Sequence, residues 1–231
     1  MIDPIPSPDL RRSSSNAYHA LLAVLATTFV AGPLTQGMGF GQRALDLLFL
    51  IVLVAGVAVS RGSRLRLWVA LALGAFGAIA TISTWMLDSQ SAFIARSLAM
   101  ITFFLFVFGS VVGHVLSDAR VTPALLSGAA SGYILLGMAW TFAYGLVDKL
   151  DPQAFKLIKD VVASESALRA PTFFYFSFTT ITTLGYGDVL PVSPLARGLA
   201  TLEAVAGQFY VAIVIAGLVG MHIARRGPRD Q

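Results

Sequence analysis

The sequence predicts an all-α membrane protein with six transmembrane helices, a re-entrant half-helix and one irregular glycine-bearing segment. Three observations carry that prediction. Of 231 residues 56% are hydrophobic and 12% charged, too few charges to cover a water-soluble surface. Six apolar segments, residues 18–34, 44–60, 67–87, 93–116, 123–147 and 195–223, approach or exceed the about 20 residues needed to cross a bilayer. A seventh, residues 171–182, is on the order of 18 Å long as a helix and cannot cross. The net charge of +4 does not imply a nucleic-acid partner, because the arginines flank apolar segments and so point to the membrane surface. With no cysteine there is no disulfide and no thiolate metal site.

Residues 1–16, rich in Pro and Ser, are expected to be a disordered cytoplasmic segment. The first apolar segment follows Arg11 and Arg12. The same arrangement has an alternative reading as a signal peptide, with residues 20–31 as its apolar region, and cleavage would leave five spans. Arg11, Arg12, Arg61, Arg64, Arg66, Arg120, Arg225, Arg226 and Arg229 all fall on one side of the six-span topology, whereas the short loops on the other side keep Arg43 and Arg96. That asymmetry makes both termini cytoplasmic in a multi-pass protein of the cell membrane.

Residues 17–121 are expected to form a four-helix supporting bundle. Its fourth segment does not read as a voltage sensor, because among Phe93, Arg96, Ala99, Thr102 and Leu105 there is one positive charge. Moving one charge through 100 mV is worth about 2.3 kcal/mol, and steep gating draws on three to four charges per subunit. An interfacial ion pair of Arg96 with Asp46 or Asp88 is expected instead, and the linker 117–122 is too short for a lever.

Residues 122–226 form a second unit, followed by a short tail, residues 227–231. Its first span contains Gly128-Ala129-Ala130-Ser131-Gly132, which faintly resembles the serine loop of an intramembrane protease. His19, His114 and His222 lie at the cytoplasmic ends of spans, far along the helix from Ser131. Small-residue helix packing is the expected role of this run. The histidines are candidate acid sensors or simple anchors of helix ends. In the outer loop, Asp151-Pro152 and the spacing of Phe155, Ile158 and Val162 predict a short helix. Lys149, Lys156 and Lys159 are expected to form its solvated face.

Between the half-helix and the last span the chain reads Thr-Thr-Ile-Thr-Thr-Leu-Gly-Tyr-Gly-Asp-Val-Leu, residues 179–190. Non-helical backbone at membrane depth is tolerated only where it is buried or lines a watery cavity. To aim successive carbonyls at one axis, where they can replace the hydration shell of a cation, the chain must alternate dihedral regions. Gly185 and Gly187 stand where glycine permits this. The Thr183 hydroxyl supplies the innermost oxygens, Leu184 turns its side chain away, the Tyr186 ring packs outward and Asp188 puts a carboxylate at the mouth. The C-terminal end of the half-helix carries roughly half a negative charge and favours a cation there.

From Thr122 through Arg226 the chain resembles the tetrameric potassium channel superfamily, most closely over residues 182–188. Leu184 replaces the commoner valine, and Tyr186 is retained where an acid would suggest a non-selective pore. The resemblance implies K+ bound at the backbone carbonyls of Thr183, Leu184, Gly185 and Tyr186, and no cofactor other than the permeant ion. One filter per chain then requires three further identical subunits, four copies in all, around a fourfold axis in a lipid bilayer. Thr182, Thr179, Tyr175 and Phe176 would support the filter. Because Thr179 stands where some members carry a glutamate paired with the aspartate after the filter, Asp188 needs another partner. The resemblance places Glu203 behind the filter, bonded to the pore helix. It makes Gly207 the inner-helix hinge, with close packing by Gly207 and Gly217 as the alternative. Gln208, Val211, Ile215 and Val219 would line the inner pore. The short tail is expected to hold no regulatory domain. Competing readings are a non-selective or regulatory cation-channel subunit, a potassium transporter and the intramembrane protease.

Overall fold

In lipid a backbone has only itself to hydrogen-bond, so long apolar segments fold as helices. The computed structural model describes residues 8–34, 41–87, 89–117, 121–157 and 169–224. In chain order it contains α1 (Pro8–Leu34), α2 (Gly41–Val59), α3 (Arg64–Met86), α4 (Gln90–Ser117), α5 (Pro123–Leu150), β1 (Phe155–Leu157), α6 (Arg169–Ile181), β2 (Val189–Pro191) and α7 (Pro194–Ala224). By length and composition α3, α4, α5 and the Pro194–Gly220 part of α7 suffice to cross a membrane, and α1 holds a shorter apolar stretch, Asn16–Ala31. Asp88, Arg120, Ile158, Lys159, Val162, Arg225, Arg226, Arg229 and the His222 side chain lie outside what is described.

Two expectations are corrected. Helix α1 begins at Pro8, inside the segment expected to be disordered. Proline at the first helical position followed by Asp9 is a helix start, since proline lacks only an amide that would be unpaired there anyway. The outer loop does not continue as a helix through Phe155. Asp151 accepts from the amide of Gln153 at 3.1 Å, closing a turn, and residues 155–157 pair antiparallel with 189–191. Phe155 faces Pro191, Lys156 faces Leu190 and Leu157 faces Val189. The ladder outcompetes the helical pattern because it also buries Phe155 against Tyr144, Phe173 and Phe176.

Helix α5 starts after Thr122, whose hydroxyl accepts from the amide of Leu125 at 3.2 Å and so caps it. Helix α5 is the axle of the molecule, packing against α1, α4, α6 and α7. Leu21 and Leu25 of α1 are fully buried. Lipid tails are as apolar as leucine, so association rests on close packing and aromatic contact. Phe49, Phe104 and Phe142 interlock with ring centroids 5.0–6.4 Å apart. Glycines admit the bulky rings: Phe103 fills the space beside Gly56, and Phe178 that beside Gly137. The small-residue run of α5 works the same way. Tyr18 seats on Gly128, and Tyr210 seats on Gly132 while donating to the Ala129 carbonyl at 2.6 Å.

The ion pair expected of Arg96 forms with Asp46 and is buried in the bundle. Arg96 donates to Asp46 at 2.6 Å, the Trp85 indole donates to the other Asp46 oxygen at 2.9 Å, and the guanidinium lies 5.6 Å from the Phe142 ring centroid. One ion pair thus ties α2, α3, α4 and α5 together. Removing one member of a buried pair strands the other charge, at a cost of about 3–5 kcal/mol. Arg96→Gln is expected to lower the thermal unfolding midpoint in detergent, with partial recovery in the Asp46→Asn/Arg96→Gln double variant. An unchanged midpoint in the single variant would remove the pair from the stability of the bundle.

Candidate ion-conducting site

Helix α6 is short, apolar and aromatic, and its position is set by rings. Phe176 packs on Tyr144 at 4.9 Å, and Phe174 and Phe178 pack on Phe29 of α1. Its last turn would ordinarily leave four carbonyls without partners. Here each one is claimed. Phe178 accepts from the Thr182 hydroxyl at 2.6 Å and Thr180 from the amide of Thr183 at 2.9 Å. Thr179 accepts from the amides of Leu184 and Gly185 at 2.9 and 3.0 Å, and Ile181 from the Tyr133 hydroxyl of α5 at 3.0 Å. The Thr179 hydroxyl itself donates to Phe176 at 3.0 Å.

These bonds use the amides of the following segment and leave its carbonyls free. Among the described residues no hydrogen bond ends on the carbonyl of Thr183, Leu184, Gly185 or Tyr186. Thr183, Gly185 and Gly187 have φ of 60°, 53° and 78°, whereas Leu184 and Tyr186 stay at negative φ. Alternating the sign of φ turns successive carbonyls toward the same side. Threonine at positive φ is strained, so the form of the segment is imposed on Thr183 by its surroundings.

Tyr175 supplies the partner that Asp188 needs. Its hydroxyl donates to Asp188 Oδ2 at 2.7 Å while Asp188 Oδ1 accepts from the amide of Val189 at 3.0 Å. The Tyr175 ring stacks on Tyr186, centroids 6.3 Å apart and planes 1° from parallel. Burial, then the hydrogen bond to and the charge of Asp188, push the Tyr175 hydroxyl up to about 12, so it remains a donor at neutral pH. Beyond Asp188 the chain is held by the β1–β2 ladder and by Ala154, whose carbonyl accepts from the amide of Val192 at 2.8 Å.

Glu203 of α7 is fully buried. Its carboxyl meets the Ser177 hydroxyl of α6 at 2.6 Å and the Tyr144 hydroxyl of α5 at 2.5 Å. Gly207 presses on the end of α6, where a Cβ would sit 2.6 Å from the Ile181 carbonyl oxygen. Gly217 has only Leu116 nearby, at 4.0 Å. Gln208, Val211, Ile215 and Val219 are exposed, on a side of α7 that none of the described elements covers.

The remaining candidates lie away from this site. Among the described residues Ser131 is buried without a hydrogen-bond partner. His19 is engaged with Ser127 at 2.8 Å, and His114 stacks on Tyr18 at 5.1 Å. Lys149 lies over the Phe93 ring and Lys156 is exposed on β1. Sequence reasoning missed Tyr133, Tyr144 and Ser177. A signal was available for the first two, since a tyrosine inside an apolar span needs a partner for its hydroxyl.

Residues 153–222 match the family described as ion channel, less than half of the chain. Over 86 residues, 34% of this chain, the sequence is 33% identical to an inward rectifier potassium channel, Kirbac3.1, of Paramagnetospirillum magnetotacticum. The matched region spans 29% of that protein's length. No solved structure matches the chain. With its apolar helices, the chain is a membrane-embedded multi-pass protein, and both comparisons point away from an enzyme and toward an ion channel. The family match covers α6, the free carbonyls and most of α7.

Proposed function

We propose that this chain is one subunit of a homotetrameric, potassium-selective channel that conducts K+ passively and is not strongly voltage-gated. The observation that carries the reading is the run of four free carbonyls, Thr183 to Tyr186, in a segment whose φ alternates in sign. Rings of such carbonyls replace the hydration shell of K+. One chain supplies one quadrant, so four copies complete the ring. Leu184 and Tyr186 are 56% and 67% exposed in a single chain, as expected of groups that neighbouring copies cover. The free side of α7 with Val211, Ile215 and Val219 then faces the axis below the filter, as an apolar tube that closes by dewetting.

In this reading α1 to α5 and α7 cross the membrane, with both termini cytoplasmic. Helix α4 contributes a single arginine, already paired with Asp46, so open probability varies weakly with voltage. The deciding experiment is ion flux through purified protein in liposomes. Potassium and rubidium are expected to permeate, sodium to be excluded and barium, which matches K+ in size, to block. A reversal potential that follows the sodium gradient as closely as the potassium gradient would replace this reading with a non-selective cation channel.

A further inference from the structure

The three hydroxyl and carboxyl groups around Glu203 hold a fixed number of protons, and their distances demand a particular number. Ser177 Oγ lies 2.6 Å from Glu203 Oε1 and 2.7 Å from the carbonyl oxygen of Gly137. A serine hydroxyl donates one hydrogen. Were Glu203 a carboxylate, Ser177 would face two acceptors with that one hydrogen, and one of the two contacts would press bare oxygens together at hydrogen-bond distance. On the other side of the carboxyl, the Tyr144 hydroxyl has Glu203 Oε2 as its partner. Among the described residues the one salt bridge joins Arg96 to Asp46, so no described cation pairs with Glu203. Among the described residues a second tyrosine of α5, Tyr133, also lies within electrostatic reach of Glu203. A carboxylate here would be a buried charge with no counter-ion, which is costly.

We propose that Glu203 is a neutral carboxylic acid and that its proton makes it the positioning residue of the pore helix. The bonds then balance: Glu203 Oε1–H donates to Ser177, Ser177 donates to the Gly137 carbonyl, and Tyr144 donates to Glu203 Oε2. Three donors meet three acceptors, and the chain of bonds joins α7, α6 and α5 directly behind the filter. The direction of every bond is fixed by the one proton on Glu203. The protonation stands on its own; the consequence for conduction rests on the channel reading.

Infrared difference spectroscopy of wild type against Glu203→Gln tests this at neutral pH in dodecyl maltoside, which has no acid or ester carbonyl. The expected result is a carboxylic-acid C=O band present in wild type, absent in the variant and lowered in D2O. In Ser177→Ala the band is expected to rise in frequency, because the acid loses its acceptor. A difference spectrum showing only carboxylate stretches would overturn the proposal. In liposomes Glu203→Gln, whose amide both donates and accepts, is expected to keep potassium flux within twofold of wild type, and Glu203→Leu to lose tenfold or more. Equal loss in the two variants would overturn the positioning role. Absence of potassium flux in wild type would instead sink the channel reading, leaving the infrared band to decide the proton.

Discussion

Gly185→Ala is expected to abolish potassium flux while leaving the helical content measured by circular dichroism unchanged. Gly185 has φ of 53°, and among the described residues, its two chain neighbours aside, no atom lies within 4 Å of the place where a Cβ would stand. Crowding by its own chain is therefore not the mechanism. An L-residue in the left-handed region costs about 1–2 kcal/mol, and in the proposed tetramer the cost recurs in four copies around one ring. Relaxing to negative φ would break the alternation of sign that runs from Thr183 to Gly187. Thr183 already holds positive φ against its own preference, with its amide tied to Thr180, so the segment has little freedom to absorb a second strained residue. Flux at the wild-type level in Gly185→Ala would sink both the argument and the proposed role of the segment.

Gly207→Ala is expected to lower flux tenfold or more and to depress the thermal unfolding midpoint. The added Cβ would stand 2.5 Å from Ile181 Cγ1 and 2.6 Å from the Ile181 carbonyl oxygen. The side chain can turn aside; the carbonyl cannot, because it is backbone and accepts from Tyr133. The end of α6 must move, and overpacking of this kind costs about 1–3 kcal/mol. Since about 1.4 kcal/mol is a factor of ten, a displacement felt at the filter is ample. Gly109→Ala is the matched control, because nothing lies within 4 Å of its Cβ position. That variant should be neutral or stabilising by about 0.5–1 kcal/mol. The pair also separates the two roles considered for Gly207. A hinge would show altered opening with an unchanged midpoint, whereas a packing glycine lowers the midpoint.

The site was legible in the sequence where its chemistry is local. Glycines at 185 and 187 announce positive φ because φ is a property of the residue itself, and both have it. The half-helix before them was readable from its length alone. The outer loop was not, because the spacing of Phe155, Ile158 and Val162 fits a helix equally well, and the strand forms only when a partner more than thirty residues away presents its edge. Arg96 illustrates the same limit. Asp46 and Asp88 were both open as partners from topology, and the choice needed the packing of α2 against α4 to bring Asp46 to 2.6 Å.

By itself the sequence determined that this chain lives in a membrane, that one segment is too short to span it, and that the backbone after that segment bends where glycine allows. Hydropathy and dihedral preference are summed residue by residue and need no neighbours. Only the tertiary structure decided that Tyr175 holds Asp188, that Tyr133 closes the last carbonyl of α6, and that Glu203 meets Ser177 and Tyr144. Each of these contacts joins residues from 13 to 59 positions apart, and a hydrogen bond depends on the position of both partners. No property of either residue alone contains that information.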